Sequence, residues 1–280
     1  IKESAAWLKT QGFEVDYAPV DARGFVKVDA LASLLRPDTT LVSVMAVNNE
    51  IGSIQPIHDI AALLEDRPTI SFHVDAVQAL AKVATEVYLP ERVDFATFSS
   101  HKFHGLRGVG FVYIKEGKKI TPLLTGGGQE KEMRSTTENV AGIAATAKAL
   151  RLAMENQEAF ASKTQQMKEV IRKELANYPD VTIFSGEDHF APHILTFGIK
   201  GVRGEVVVHA FEEFDIYIST TSACSSKAGK PAGTLIAMGV DKSIAQTAVR
   251  LSLDIENDMS QVEQFLTKFK LIYEQTRKVR

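Results

Sequence analysis

Only one cysteine occurs in the 280 residues. That excludes an internal disulfide framework and any multi-cysteine metal site. No apolar run approaches the ~20 residues needed to span a bilayer, and no charged-then-apolar signal segment opens the chain. An excess of one charge is lacking too, because 32 Lys and Arg face 35 Asp and Glu, a formal net charge of −3. Without a global basic field, no direct nucleic-acid partner is expected, and no membrane partner either. A content of 45% hydrophobic and 24% charged residues is that of an ordinary globular protein. The expectation is a soluble, cytoplasmic enzyme, long enough for one large core unit and a smaller one.

The chain opens on Ile1 rather than Met. Residues 1–10 read as a helix that Gly12 ends, and Phe13, Val15 and Tyr17 alternate like a strand. A parallel α/β unit normally begins with a strand, its crossover helix coming second. Starting on a helix leads us to expect that the sequence enters its fold partway, with an N-terminal part missing.

Residues 41–47 (LVSVMAV) form a continuous apolar run that stops abruptly at Asn48, Asn49 and Glu50. Such a run fits a strand buried on both faces. An amphipathic helix over 56–66 follows, then a strand over 69–74 ending at Asp75. A third strand over 95–98 runs into Ser99, Ser100, His101 and Lys102, and a fourth covers 109–114. This alternation predicts a doubly wound, mostly parallel α/β domain. Gly126, Gly127 and Gly128 make a joint before a long helical stretch over 138–178, either two helices or one bent one. Strands over 181–184 and 194–199, a helix over 205–214, strands over 216–220 and near 248–253, and a final helix from Met259 predict a smaller α+β domain. The division expected is a large domain over 1–150, then a connecting helix and small C-terminal domain over 151–280. His58, His104 and His189 read as surface or turn residues, and no metal-site spacing is present. Lys118, Lys119, Arg277, Lys278 and Arg280 read as solvated charges.

Ligands of open α/β sheets bind beyond the carboxyl ends of the strands. Three successive strands here end in Asn48, in Asp75, and in Ser99-Ser100-His101-Lys102. Singly, a post-strand Asp reads as a helix cap and a Lys as a surface charge. Together they suit a phosphorylated pyridine. A desolvated Lys is a nucleophile toward an aldehyde. A carboxylate keeps the pyridine nitrogen protonated, which makes the ring an electron sink. Ser and His side chains donate to a phosphate. Gln78, one helical turn past Asp75, could reach a ring hydroxyl.

These residues also carry a family resemblance. Val93-Asp94-Phe95-Ala96-Thr97-Phe98-Ser99-Ser100-His101-Lys102, followed by Gly108-Val109-Gly110, is similar to the cofactor-lysine signature of class V aminotransferases. Those are pyridoxal-phosphate enzymes of fold type I. Val47-Asn48-Asn49-Glu50-Ile51-Gly52 and His73-Val74-Asp75-Ala76-Val77-Gln78 resemble segments of cysteine desulfurases. So do Met133-Arg134-Ser135-Thr136-Thr137, Thr221-Ser222-Ala223-Cys224 and Ala248-Val249-Arg250-Leu251-Ser252-Leu253. The blocks stand in order along essentially the whole chain.

The resemblance implies roles. Lys102 would carry pyridoxal 5'-phosphate and move the substrate α-proton. Asp75 would pair with the pyridine nitrogen, Gln78 with the ring hydroxyl, and Ser99 and His101 with the phosphate. Thr137 would reach the phosphate of a neighbouring subunit, which implies a homodimer. Asn48 and Arg250 would orient the carboxylate of L-cysteine. Cys224 would take the sulfur as a persulfide, on a long mobile arm over 224–239, for an acceptor such as an iron–sulfur scaffold or a tRNA-thiolating enzyme. Polar flanks (Ser222, Ser225, Ser226 and Lys227) argue against a packed role for Cys224, though free Cys is often buried.

Three positions depart from the family pattern. Thr221 and Asp254 stand where Gly is usual, and Ser100 stands where Gly is common. The family's Gly-Thr phosphate loop and ring-stacking His precede the segment seen here, so weak cofactor binding by this chain alone is a further expectation. Alternatives left open are a selenocysteine lyase, an aminotransferase, an inactive fragment, and a non-catalytic dimerisation or docking module.

Overall fold

The computed structural model describes residues 1–221 and 233–278. Helix α1 (Lys2–Thr10) stops at Gly12, whose φ of +89° a side chain would resist. Residues 13–17 are not the strand expected. They have no ladder partner among the described residues, and Phe13 and Tyr17 stay exposed. Alternation alone does not make a strand without a neighbour to bond it. A short helix missed by the periodicity, α2 (Val28–Leu34), seats Leu31 in the core.

The first sheet is built from β1 (Leu41–Met45), β2 (Ser71–Asp75), β3 (Phe95–Ser99) and β4 (Gly110–Ile114), in that order. The first three run parallel and β4 is antiparallel. Helices α3 (Ile57–Leu63) and α4 (Thr85–Tyr88) lie in the connections. One face presents Val42, Val44, Phe72, Val74, Ala96 and Phe98, all buried, to the main core. Residues 76–83 form successive turns rather than the expected helix. Ala81 sits at φ 60°, which interrupts right-handed winding.

The long helical stretch is two helices, α5 (Val140–Glu155) and α6 (Gln157–Leu175), meeting at Asn156. The second sheet joins β5 (Val181–Ile183), β6 (Ile194–Ile199), β7 (Ser219–Thr220) and β8 (Ala248–Ser252), in spatial order β5-β6-β8-β7 and antiparallel throughout. Helix α7 (Gly204–Glu212) lies between β6 and β7 in the chain, and α8 (Gly233–Ala237) and α9 (Lys242–Ala245) precede β8. α10 (Met259–Lys278) closes the chain and packs Phe265, Phe269 and Ile272 into the second core with α6 and α7. A mostly parallel α/β sheet followed by a smaller α+β unit is the architecture expected from the sequence. Among the described residues no helix is long and apolar enough to cross a membrane.

A third cluster holds the two sheets together, uniting Ile51 after β1, Phe184 and Phe190 of the β5–β6 hairpin, and Leu235 of α8. Gly52 makes the close approach possible, with φ +84° and room for a Cβ only 3.0 Å from Ile194 Cβ. Of the arm expected over 224–239, the residues before 233 lie outside the described ones, and the rest opens on a helix. Residues 233–237 are helical because Leu235, fully buried, gains apolar contacts that a loop would forgo. Leu235→Ala is expected to lower unfolding free energy by roughly 2–4 kcal/mol, measurable by urea denaturation.

One correction concerns charge. Lys118, read as solvated, pairs with Asp94 at 3.2 Å. Asp94 is buried and also takes Arg92 Nη1 and the backbone N–H of Phe72, each at 2.8 Å.

Candidate active site

Because β1, β2 and β3 are parallel, their carboxyl ends share one edge. The register pairs Met45 with Asp75 and Asp75 with Thr97. The less buried face of this sheet is polar near that edge. His73 Nδ1 lies 2.7 Å from Ser43 Oγ and His73 Nε2 lies 3.1 Å from Thr97 Oγ1, so one imidazole bridges three strands. Burial pushes the His73 pKa down, against the pull of Asp75. Asp75, two residues on, is half-buried, and its Oδ1 accepts from Val77 N at 3.1 Å.

β3 runs directly into a 3₁₀ turn, Ser100–Phe103. Buried Phe103 and Ser100 anchor it, and Ser100 Oγ meets Thr146 Oγ1 of α5 at 2.9 Å. Gly105 is required beneath this turn, since a Cβ there would fall 1.9 Å from Ser100 Oγ. Lys102 is half-buried on this anchored turn, beside half-buried Ser99 and exposed His101. His104 ends the turn in the left-handed region, φ 65°.

The second sheet contributes β8. Arg250 Nη1 donates to Asn49 O at 2.8 Å, joining β8 to the loop after β1. In that loop buried Asn48 accepts, through Oδ1, from Glu50 N at 2.8 Å and Ile51 N at 2.9 Å. Asn48 Nδ2 donates to Thr234 Oγ1 at 3.3 Å, and Thr234 N donates to Glu50 Oε2 at 3.1 Å. The first turn of α8 is thus fastened to the end of β1.

A basic group lies around this edge. Lys82 is pulled down to about 8, first by burial and then by Lys102 and Arg250, while Asp254 acts the other way. His193, buried just before β6, is held well below its ordinary value by burial and then by Lys82, Lys168, Arg250 and Lys102. Lys168, also buried and lowered to about 8 by burial, donates to Ala191 O at 2.8 Å. His104 Nε2 and Asp254 Oδ2 stand 3.3 Å apart.

The fold therefore brings the ends of β1, β2 and β3 to one edge and links β8 to it through Arg250. Gln78 is half-buried in the turns after Asp75, and Thr137 is exposed on the segment before α5. Cys224 lies outside the described residues. Sequence reading assigned no role to His73, Lys82, His193, Glu50 or Thr234. Lys82 alone had a local signal, as a single charge inside the apolar stretch over 79–84. Among the described residues no group of His, Asp or Glu is set to hold a metal ion.

The sequence matches the family described as Aminotransferase class-V over residues 3–265. It is 50% identical over 273 residues to the NifS/IcsS protein homolog of Lactobacillus delbrueckii subsp. bulgaricus, across 97% of this chain and 71% of that protein. It is 38% identical over 282 residues to the cysteine desulfurase IscS of Clostridium botulinum, across 100% of this chain and 70% of that one. Among solved structures, a NifS-like protein superposes with a TM-score of 0.88 at 38% identity, over 98% of this chain and 71% of that one.

Proposed function

The chain belongs to the class-V aminotransferase family, and on that premise we propose that it is a cysteine desulfurase converting L-cysteine to L-alanine with Cys224 as sulfur carrier. The observation that carries the reading is the convergence of Asp75, Ser99, His101 and Lys102 at one sheet edge, with Arg250 tied to the same edge from β8. The family implies pyridoxal phosphate, and the donor set fits it. Lys102 offers an amine for the aldehyde, Asp75 a carboxylate for the ring nitrogen, and Gln78 an amide for the ring hydroxyl. Ser99 and His101 offer donors to the phosphate, with Thr137 of a second copy completing that site in a homodimer. When bound, the cofactor supplies an electron sink for the substrate's α-carbon.

The chain's own residues do the rest. Arg250 pairs with the substrate carboxylate, a charge-assisted contact that fixes orientation, and Asn48 supports the same end. The Lys102 amine, held on its anchored turn, takes the α-proton. The Cys224 thiolate then attacks the substrate sulfur. An S–S bond forms, the C–S bond breaks, and the carbon keeps the electron pair and gains a proton, giving alanine and a persulfide on Cys224. A cytoplasmic acceptor, either an iron–sulfur scaffold or a tRNA-thiolating enzyme, takes the sulfur from there. Residues 1–150 form the cofactor unit in this reading, and residues 151–280 carry the connector and the cysteine segment.

The test is alanine release from L-cysteine by the protein with added pyridoxal phosphate and reductant, beside a Cys224→Ala control. Alanine that depends on Cys224 is the expected result. Alanine release unaffected by the substitution would show that the carrier is wrong. No alanine from protein that has taken up the cofactor would overturn the reading itself.

A further inference from the structure

The positive charges of Lys102 and Arg250 bear on Lys82 from one side, and the carboxylate of Asp254 acts on it the other way. That carboxylate faces two ways, toward Lys82 and, at 3.3 Å, toward His104 Nε2.

Both ends of that contact stand on hydrogen-bonded backbone. His104 follows Lys102 by two residues, and its N–H closes the 3₁₀ turn onto Ser100 O. Asp254 follows Arg250 by four residues, just past the end of β8. Its backbone N donates to Asn257 Oδ1 at 2.8 Å, and the preceding Leu253 N donates to His193 O at 2.8 Å. The carboxylate is therefore not on a loose strand end. The contact joins the turn that carries Lys102 to the strand that carries Arg250.

We propose that Asp254 is a positioning residue for substrate binding: held against His104, it sets the separation of Arg250 from Lys102. The proposal rests on the desulfurase reading for the identity of the substrate, but the geometry it describes concerns any amino acid bound through its carboxylate. Without the carboxylate, β8 and the 3₁₀ turn lose their tie. Arg250 then meets the substrate carboxylate less well. The α-proton step, which belongs to Lys102, changes less.

The experiment is a double-mutant cycle in pyridoxal-phosphate-loaded protein with Asp254→Asn, His104→Gln and both together. Three readouts are needed: the Kd of L-alanine by calorimetry, KM and kcat for L-cysteine, and the thermal unfolding midpoint. Each single change is expected to raise Kd and KM about two- to fivefold, the range a partly exposed polar contact supports. The double variant should match the singles, and kcat should change less than about twofold on the same scale. Effects that multiply in the double variant overturn the proposal, because the two residues then act separately. A lowered midpoint with unchanged Kd also overturns it, leaving a purely structural pair. If the wild-type protein binds L-alanine but releases none from L-cysteine, the desulfurase reading fails, and the Kd cycle still decides the positioning role.

Discussion

Lys102→Ala is expected to reduce alanine formation by roughly a thousandfold or more, the scale set, in the proposed mechanism, by losing both a covalent anchor and a positioned proton carrier. The same variant should lose the visible absorbance of lysine-bound pyridoxal phosphate. The contrast with Cys224→Ala gives the result its force. That second variant should keep the absorbance and lose sulfur transfer, because in the proposed mechanism the cysteine carries sulfur and does not hold the cofactor. Absorbance spectra and an alanine assay on both variants check the pair. The structural reason to expect a local effect is the anchoring of the 3₁₀ turn. Ser100 and Phe103 are buried on either side of the lysine, and Ser100 is bonded to Thr146. Removing the exposed part of Lys102 therefore leaves the turn in place. A Lys102→Ala protein that turns over L-cysteine at the wild-type rate would remove the lysine from the mechanism.

The largest stability effect is expected at Asp94. Its carboxylate is 3% exposed and holds Arg92 at 2.8 Å and Lys118 at 3.2 Å. Arg92 in turn donates to Leu64 O, Arg67 O and Ile70 O, so the pair fastens the α3–β2 connection to the start of β3. Asp94→Ala would strand the Arg92 charge, only 11% exposed, and leave the Phe72 N–H unpaired. Breaking a buried pair from one side costs roughly 3–5 kcal/mol, to be read by urea unfolding. A pH dependence accompanies it. Burial alone would raise the Asp94 pKa, but the Phe72 N–H, Arg92 and Lys118 outweigh it and hold the carboxyl below its ordinary value. The folded state then releases this proton more readily than the unfolded chain. The stabilisation is present above the unfolded value of about 4 and is lost as pH falls through the folded value. Wild-type stability should fall more steeply than that of Asp94→Asn below about pH 4. Equal slopes would show that Asp94 is not the group responsible.

Much of the candidate site was legible because it lies where local signals end. Asn48, Asp75 and Ser99 each stand at or just past the last residue of an apolar strand, and strand ends are easy to locate from residue type. The parallel pairing of β1 to β3 then gathers them at one edge. The two sheets and the helices α5, α6 and α10 were legible for the same reason, since each has enough periodic residues to declare itself. Residues 13–17 show the opposite. Their alternation is as clear as that of a real strand, yet no strand lies beside them among the described residues.

What the sequence by itself determined is therefore the set of reactive side chains and the order of the elements that carry them. Local periodicity encodes whether a segment is helix or strand, and an abrupt polar end marks where a site can form. Only the tertiary structure decided which distant polar groups meet. His73 bridges Ser43 and Thr97, Lys118 reaches Asp94, Thr234 fastens to Glu50, and Asp254 faces His104. The partners of the last two contacts stand 184 and 150 residues apart. No pattern of period 2 or 3.6 relates residues at such separations. Their meeting depends on how the two sheets pack through Ile51, Phe184, Phe190 and Leu235, and the burial of those side chains is a property of the whole fold.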